Sequence, residues 1–301
     1  MSVAEIIREA RRLHAAGEVE KAKDLLDKQL YDHGFSPELH AEMHRLFPVT
    51  PEVLQQLDDY HARLNSADAK IRRKAASEIS RLALGERWGE AREFLRYPET
   101  TAFITRQLEN PDPAVQENMT IALAMAFWRY TRDDRAFEPL VAQLKSKTIN
   151  TRAWAIEALA HLSDRGVEHI LPLLNDKAER VWTEALRSLA FAIAGGGTLS
   201  RPPMGPEGLR HIRDAMLKVD RNRDAEFRAG AAHLFAMSAL PEDLPELRAW
   251  HKKDGSKTVK AHLQRGIERL ENPPPPTTAA PVSPASPPAN KKGPAKRAAP
   301  S

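Results

Sequence analysis

The sequence predicts an all-α chain organised as a solenoid of helical repeats, and three observations predict it. No stretch alternates Val, Ile, Thr or aromatic residues between turn dipeptides, so strand signals are absent. Ala, Leu, Arg and Glu instead recur three and four residues apart, the spacing of a helix face. The third observation is internal repetition. An apolar residue opening a helix after a polar turn recurs at Ile71, Val115, Val181, Phe227 and Val259, with Thr151 in the same role. Four residues after each anchor stand Ala75, Met119, Ala155, Ala185, Ala231 and Leu263; eight after stand Ile79, Leu123, Leu159, Leu189, Phe235 and Ile267. The column eleven after reads Leu82, Ala126, Leu162, Ala192, Ser238 and Leu270. Six copies of one helix–turn–helix unit result, 30 to 46 residues apart, each needing a neighbour to bury its apolar face.

From the N-terminus, Ile6, Ile7, Ala10 and Leu13 form one helix face, Gly17 breaks it, and Val19, Ala22, Leu25, Leu26 and Leu30 form the next; residues 37–46 supply a third short helix. The phrase Gly17-Glu-Val19-Glu-Lys-Ala22-Lys-Asp-Leu25-Leu26 resembles the second helix of a tetratricopeptide repeat. A lone hairpin cannot bury its own face, so residues 1–47 are expected to cap the N-terminal end of a solenoid spanning 48–272.

Within the solenoid, Leu64, Leu108, Leu144 and Leu174 lie seven before their anchors, on the first helix of each unit. The turn signature Asp-x-x-apolar-Arg is complete in Asp68 to Arg72 and Asp224 to Arg228; the Asp suits a helix N-terminus, where its carboxylate accepts unpaired N–H groups. Elsewhere it is partial, with Gln116 after Val115, Arg152 without an Asp, and Trp182 in the Arg place. Arg72, Arg152 and Arg228 are expected to form a polar ladder between repeats with Asp68 and Asp224. Asn110-Pro111-Asp112-Pro113 is a stop-then-start signal. Two inserts, Leu84 to Pro98 with a short helix at 90–95, and the glycine-rich Ala194 to Pro206, fall on one edge, as partner-binding or length-tolerant loops. Repeat six carries Ser256 and Lys260 at its turn, as a terminal capping unit would.

Phrases such as Leu64-Asn-Ser-Ala-Asp68-Ala-Lys-Ile71-Arg72-Arg-Lys-Ala75-Ala76, repeated six times in register over about residues 50–271, resemble the HEAT-repeat, armadillo-like family. The resemblance implies a right-handed α–α superhelix whose second helices line the concave surface. It leaves function open, because that family hosts scaffolds, transport factors, enzyme regulators and a few enzymes.

The charge must be located before it is interpreted. Lys and Arg number 45 against 41 acids, a net charge of +4. The whole excess is Lys291, Lys292, Lys296 and Arg297 in residues 273–301, which hold 10 of the 23 prolines and no acid, so residues 1–272 taken together are neutral. That Pro-rich tail is expected to be disordered and partly polyproline II. It is a solubilising tail, or a contact for nucleic acid or an anionic membrane through its four bases, which supply only salt-sensitive binding. The absence of Cys excludes disulfides, thiolate zinc sites, iron–sulfur clusters and a Cys nucleophile. Glu5 and Arg8 stand where a secretion signal needs an apolar core, and no run approaches a membrane span, so a soluble cytoplasmic protein is expected.

Motifs for chemistry are few. His40 and His44 have the spacing of a metal pair but lack the Glu of His-Glu-x-x-His and read as a solvated helix face. Gly195-Gly196-Gly197-Thr198 lacks the Lys and preceding strand of a phosphate loop, and Asp133-Asp134 caps a helix. No cofactor, metal or small-molecule substrate is inferred.

The better candidate is a surface. Positions three, six and ten after each anchor lie opposite the core face, and there Ile121, Met125, Trp154, Phe191 and Met237 form an apolar strip with Glu157 and Arg187 beside it. With His161 and His233 from the same columns, these nine residues suit a partner helix or extended peptide; the competing reading buries them between repeats. A non-enzymatic scaffold or adaptor follows, binding a protein partner. The alternatives are a HEAT-like DNA-binding protein or DNA glycosylase, for which Glu157 beside Trp154 is the catalytic candidate, and a HEAT-like lyase or regulatory subunit acting on another enzyme. The columns hold the bases Lys74, Arg81, Arg187, Arg265 and Arg269 against Glu157 and Glu184, a modest excess for a duplex binder.

Overall fold

A computed structural model describes residues 1–33, 36–85, 94–129, 132–194 and 204–272. The tail with Lys291, Lys292, Lys296 and Arg297, and most of both inserts, lie outside the described residues. Three helices come first, α1 (Val3–Ala15), α2 (Val19–His33) and α3 (Pro37–Leu46). Helix pairs follow: α4 (Pro51–Leu64) with α5 (Ala69–Leu84), α6 (Pro98–Arg106) with α7 (Pro113–Arg129), and α8 (Phe137–Gln143) with α9 (Ile149–Leu162). Then come α10 (Gly166–Ile170) with α11 (Glu179–Ala194), α12 (Pro206–Leu217) with α13 (Ala225–Ser238), and α14 (Leu244–Lys253) with α15 (Lys257–Glu271). Among the described residues there is no strand, and no helix is long and apolar enough to cross a membrane.

The six units and their register are those the anchors mark. The second helices α5, α7, α9, α11, α13 and α15 pack side by side in one continuous layer, with the first helices as an outer layer. The columns four and eight after each anchor are buried throughout. Polar side chains start the helices as expected: Asp68 accepts from the Lys70 N–H at 2.7 Å and Asp224 from that of Phe227 at 2.8 Å. Gly85 ends α5 in the left-handed conformation, with φ 91°, which a side chain would strain.

One anchor departs. Ile71 is 42% exposed, where Val115, Val181 and Val259 are fully buried. A second-helix neighbour on one side only leaves the first turn of α5 uncovered, and the N-terminal helices do not supply the missing cover. They form a separate small core of Ile6, Ala10, Leu26, Leu39 and Met43. Glu42, 4% exposed, receives Arg11 at 2.7 Å and also Arg45, which hold its carboxyl down at about 2.

The expected solvated histidine face is corrected by the same unit. His40 is buried, stacks on His44 at 6.2 Å, and His44 in turn meets Tyr97 at 6.2 Å, so this face docks against the start of α6. Burial, with the charges of His44 and Arg132 adding, lowers His40 to about 4. A histidine that is neutral when folded but takes a proton near 6.5 when unfolded favours unfolding on acidification. Stability present above pH 6.5 is therefore lost as pH falls toward 4, by up to about 3 kcal/mol. Melting temperatures measured from pH 7.5 to 4.5 should fall, and His40→Phe should flatten the curve in that window.

The polar ladder exists, but its aspartates are those of the following repeat. Arg73 meets Asp112 at 2.9 Å with Arg72 at 3.6 Å; Arg152 meets Asp176 at 2.9 Å; Arg228 meets Asp254 at 2.8 Å. Each of these aspartates also accepts the N–H two residues on, from Ala114, Ala178 and Ser256. Burial pushes all three carboxyls up, but these hydrogen bonds and the arginines outweigh it and hold them below the usual range. Asp68 and Asp224 cap their own helices instead of joining the ladder. At repeat four, Trp182 replaces the Arg and the order inverts: Arg223 of the next turn lies 5.0 Å over the Trp182 ring and 3.5 Å over Phe227.

Candidate functional site

Helices α7 and α9 are sandwiched between neighbours on both sides and are accordingly apolar around most of their circumference. That resolves the choice between exposed strip and buried seam residue by residue. Met125 and Glu157 are buried, at 4% and 7% exposure; Ile121, Trp154, His161, His233 and Met237 are half-buried; Arg187 and Phe191 are exposed, Phe191 at 46%. Met125 is thus a floor residue rather than part of an open strip, because α9 packs against that side of α7.

Two adjoining depressions collect eight of the nine candidates. One, of about 300 Å³, is lined by Met125, Trp154, Glu157, His161, Arg187 and Phe191 together with Leu84, Trp128 and Ser188. The other, of about 440 Å³, runs between α11 and α13 and is lined by Arg187, Phe191, His233 and Met237 with Trp182, Leu186, Gly230 and others. Arg187 and Phe191 belong to both and form the ridge between them, the guanidinium 5.7 Å from the ring centroid. Ile121 lines neither. Wider depressions of about 600 and 510 Å³ lie among first helices and are edged by charged groups such as Glu138, Arg165, Asp58 and Arg135.

The one cation of the ridge is held by two carboxylates. Arg187 bonds Glu184 at 2.7 Å and Glu157 at 3.2 Å, and Ser188 donates to Glu184 at 2.7 Å. Burial disfavours the Arg187 charge, but Glu184 and Glu157 more than offset it and raise its pKa. Glu157 therefore sits as half of an ion pair under an apolar rim, and the Trp128 and His161 rings stack at 6.4 Å beside it.

Sequence columns three, six and ten missed part of the lining. Leu84, Trp128 and Ala194 all stand thirteen after their anchors, one turn beyond the tenth position on nearly the same helix face, so extending the column would have found them. Trp182 and Leu186 come from the adjoining face of α11 and enter because Gly230 lets α13 approach: a Cβ there would stand 2.6 Å from the end of Leu186. Among the described residues no group of three or more His, Asp or Glu side chains is arranged to hold a metal ion.

Paired helices, a continuous inner layer and clamps between successive turns define an armadillo/HEAT-like helical repeat solenoid. Solved structures of that kind are similar in fold. An engineered protein shares it at TM-score 0.53 and 19% identity, over 88% of this chain and 68% of that one. The designed armadillo repeat protein YIII(Dq)4CqI matches at TM-score 0.51 and 18% identity, over 73% of this chain and 99% of its own. A third, the designed armadillo repeat protein YIII(Dq.V1)4CPAF in complex with the peptide (KR)4, matches at TM-score 0.51 and 18% identity, over 73% and 98%. No family model matches the sequence, and no curated protein matches it.

Proposed function

We propose that this chain is a non-enzymatic scaffold whose second-helix face binds a helix or extended segment of a protein partner. The observation that carries the reading is the pair of apolar depressions sharing the Phe191–Arg187 ridge, with a large aromatic side chain left 46% exposed between them. A designed repeat protein of similar fold was solved with a bound peptide, which supports the same use of the architecture. In this reading residues 1–47 are an N-terminal unit, 48–272 the binding solenoid and 273–301 a tether. The glycosylase alternative is less well supported, since Glu157, its candidate carboxylate, is engaged by Arg187.

The test is affinity purification with the parent chain and with Phe191→Ala. Phe191 is exposed, so the substitution should change stability by less than about 1 kcal/mol. Proteins recovered by the parent and lost by a variant of unchanged melting temperature support the face. Recovery of the same proteins by both removes it.

A further inference from the structure

The two depressions take apolar side chains, but the charges around them identify the segment further. The middle of the face offers no free cation, because its one guanidinium, Arg187, is held by both Glu157 and Glu184 and is outnumbered by them. The ends are not. Lys74 and Arg81 on α5 are exposed, as is Arg265 on α15, and among the described residues no ion pair engages any of the three. Arg269 adds a cation whose only described partners are the neutral carbonyls of Ala236 and Ala239. Beside Arg265, the rings of His233 and His262 lie 4.8 Å apart; burial and the Arg265 charge hold His233 below its usual range, and burial, His233 and Arg265 do the same to His262. Of the carboxylates on the end helices, Glu78 is held by Arg63 and Glu271 by Arg248, while Glu268 accepts from the neutral Gln264 amide at 2.9 Å, leaving one acid there against Arg265 and Arg269. Glu226, at the rim of the larger depression, lies in the first turn of α13, where the helix dipole favours it.

We propose that the partner segment carries two bulky apolar side chains three to five residues apart, flanked on both sides by Asp or Glu. This rests on the peptide-binding reading and adds the charge of the occupant. Neighbouring second helices stand ~10 Å apart, so α5 to α15 spans ~50 Å and the two depressions are ~10–15 Å apart. An extended chain at ~3.3 Å per residue covers the full span in about 15 residues and places its carboxylates about six or seven residues outside the apolar pair on the α5 side and about four or five on the α15 side. The chain's own tail is the wrong occupant, having four bases and no acid to bring against unpaired cations. Nucleic acid fits less well, since the free cations are grouped at two ends of an apolar middle and fall short of the six to ten phosphate contacts of a typical duplex binder.

The experiment is selection of a random 16-residue peptide library on the full chain, with the Phe191→Ala chain used to discard peptides that bind elsewhere. The expected result is at least threefold enrichment of Asp and Glu on both sides of an apolar pair. Charge reversal by Arg265→Glu should then weaken a selected peptide at least fivefold at ~50 mM salt and less at ~300 mM. Selected peptides with neutral or basic flanks overturn the charge assignment while leaving the face in place. Displacement of a selected peptide by a 20-base-pair duplex more tightly than by the unlabelled peptide overturns it in favour of nucleic acid. A library that yields no Phe191-dependent peptide overturns the underlying reading as well.

Discussion

Asp254→Ala is expected to destabilise the chain by about 3–5 kcal/mol, read as a drop in the denaturant midpoint at pH 7. The carboxylate is almost buried and serves four donors at once: the Arg228 Nε at 2.8 Å, its Nη2 at 3.3 Å, the Ser256 N–H at 2.9 Å and the Trp250 indole N–H at 3.3 Å. Removing it leaves a guanidinium at 20% exposure without its counter-charge, a start to α15 short of one acceptor, and an indole N–H without its acceptor. Arg228→Ala in the same background should cost much less than in the parent, because the charge left stranded is then gone; a double-mutant cycle measures that coupling. Additive losses would mean that the pair contributes nothing. Protonation attacks the same group in a different window from His40. The Asp254 carboxyl is held below its ordinary range when folded, so its contribution is present above about pH 4 and disappears as pH falls further.

The second large effect is Gly266→Ala, at about 1–3 kcal/mol. A Cβ at Gly266 would stand 2.8 Å from the Ala236 Cβ and 2.9 Å from its Cα, so α13 and α15 would have to separate. Gly230→Ala is the informative control. Its nearest contact, at 2.6 Å, is the end of the Leu186 side chain, which can turn away where a backbone atom cannot. Thermal unfolding should therefore place Gly266→Ala well below Gly230→Ala. Equal losses would show that helix separation is easier than this packing implies.

Most of the solenoid was legible because one signal was repeated six times. The anchor column, the leucines seven before it and the apolar residues four after it, alanine in four of six, are satisfied only if each second helix meets the next. The register was therefore readable even where Gln116 or Trp182 broke the turn motif. Pairing across repeats was less legible. Asp68 and Asp224 satisfy the motif locally, and nothing in a local motif says that Arg152 reaches forward to Asp176 or Arg228 to Asp254, which stand 24 and 26 residues on. The site was read from three columns but is assembled from four and from the adjoining face of α11, since depth depends on how closely neighbouring helices approach, a matter of Gly230 and Leu186 rather than of either helix alone. Ile71 failed for the opposite reason: its sequence environment matches the other anchors, and only its place at the open end of the array exposes it.

The arginine–aspartate clamps fall on alternate junctions, joining repeat one to two, three to four and five to six. Between them the second and third repeats meet through amide hydrogen bonds, from Gln143 to the Leu108 carbonyl at 3.0 Å and from Asn150 to the Glu117 carboxylate at 3.0 Å, while the fourth and fifth meet through Arg223 stacked on Trp182 and through His211, 3.4 Å from Glu168. The inner helices α7 and α9 pack as extensively as α5 and α7, whereas α11 and α13 meet least, so compliance should be greatest between repeats four and five. Bending would concentrate at that junction, and the larger of the two depressions opens directly over it. A guest seated there would act as a splint, and the curvature of the whole array would be adjusted where the guest sits.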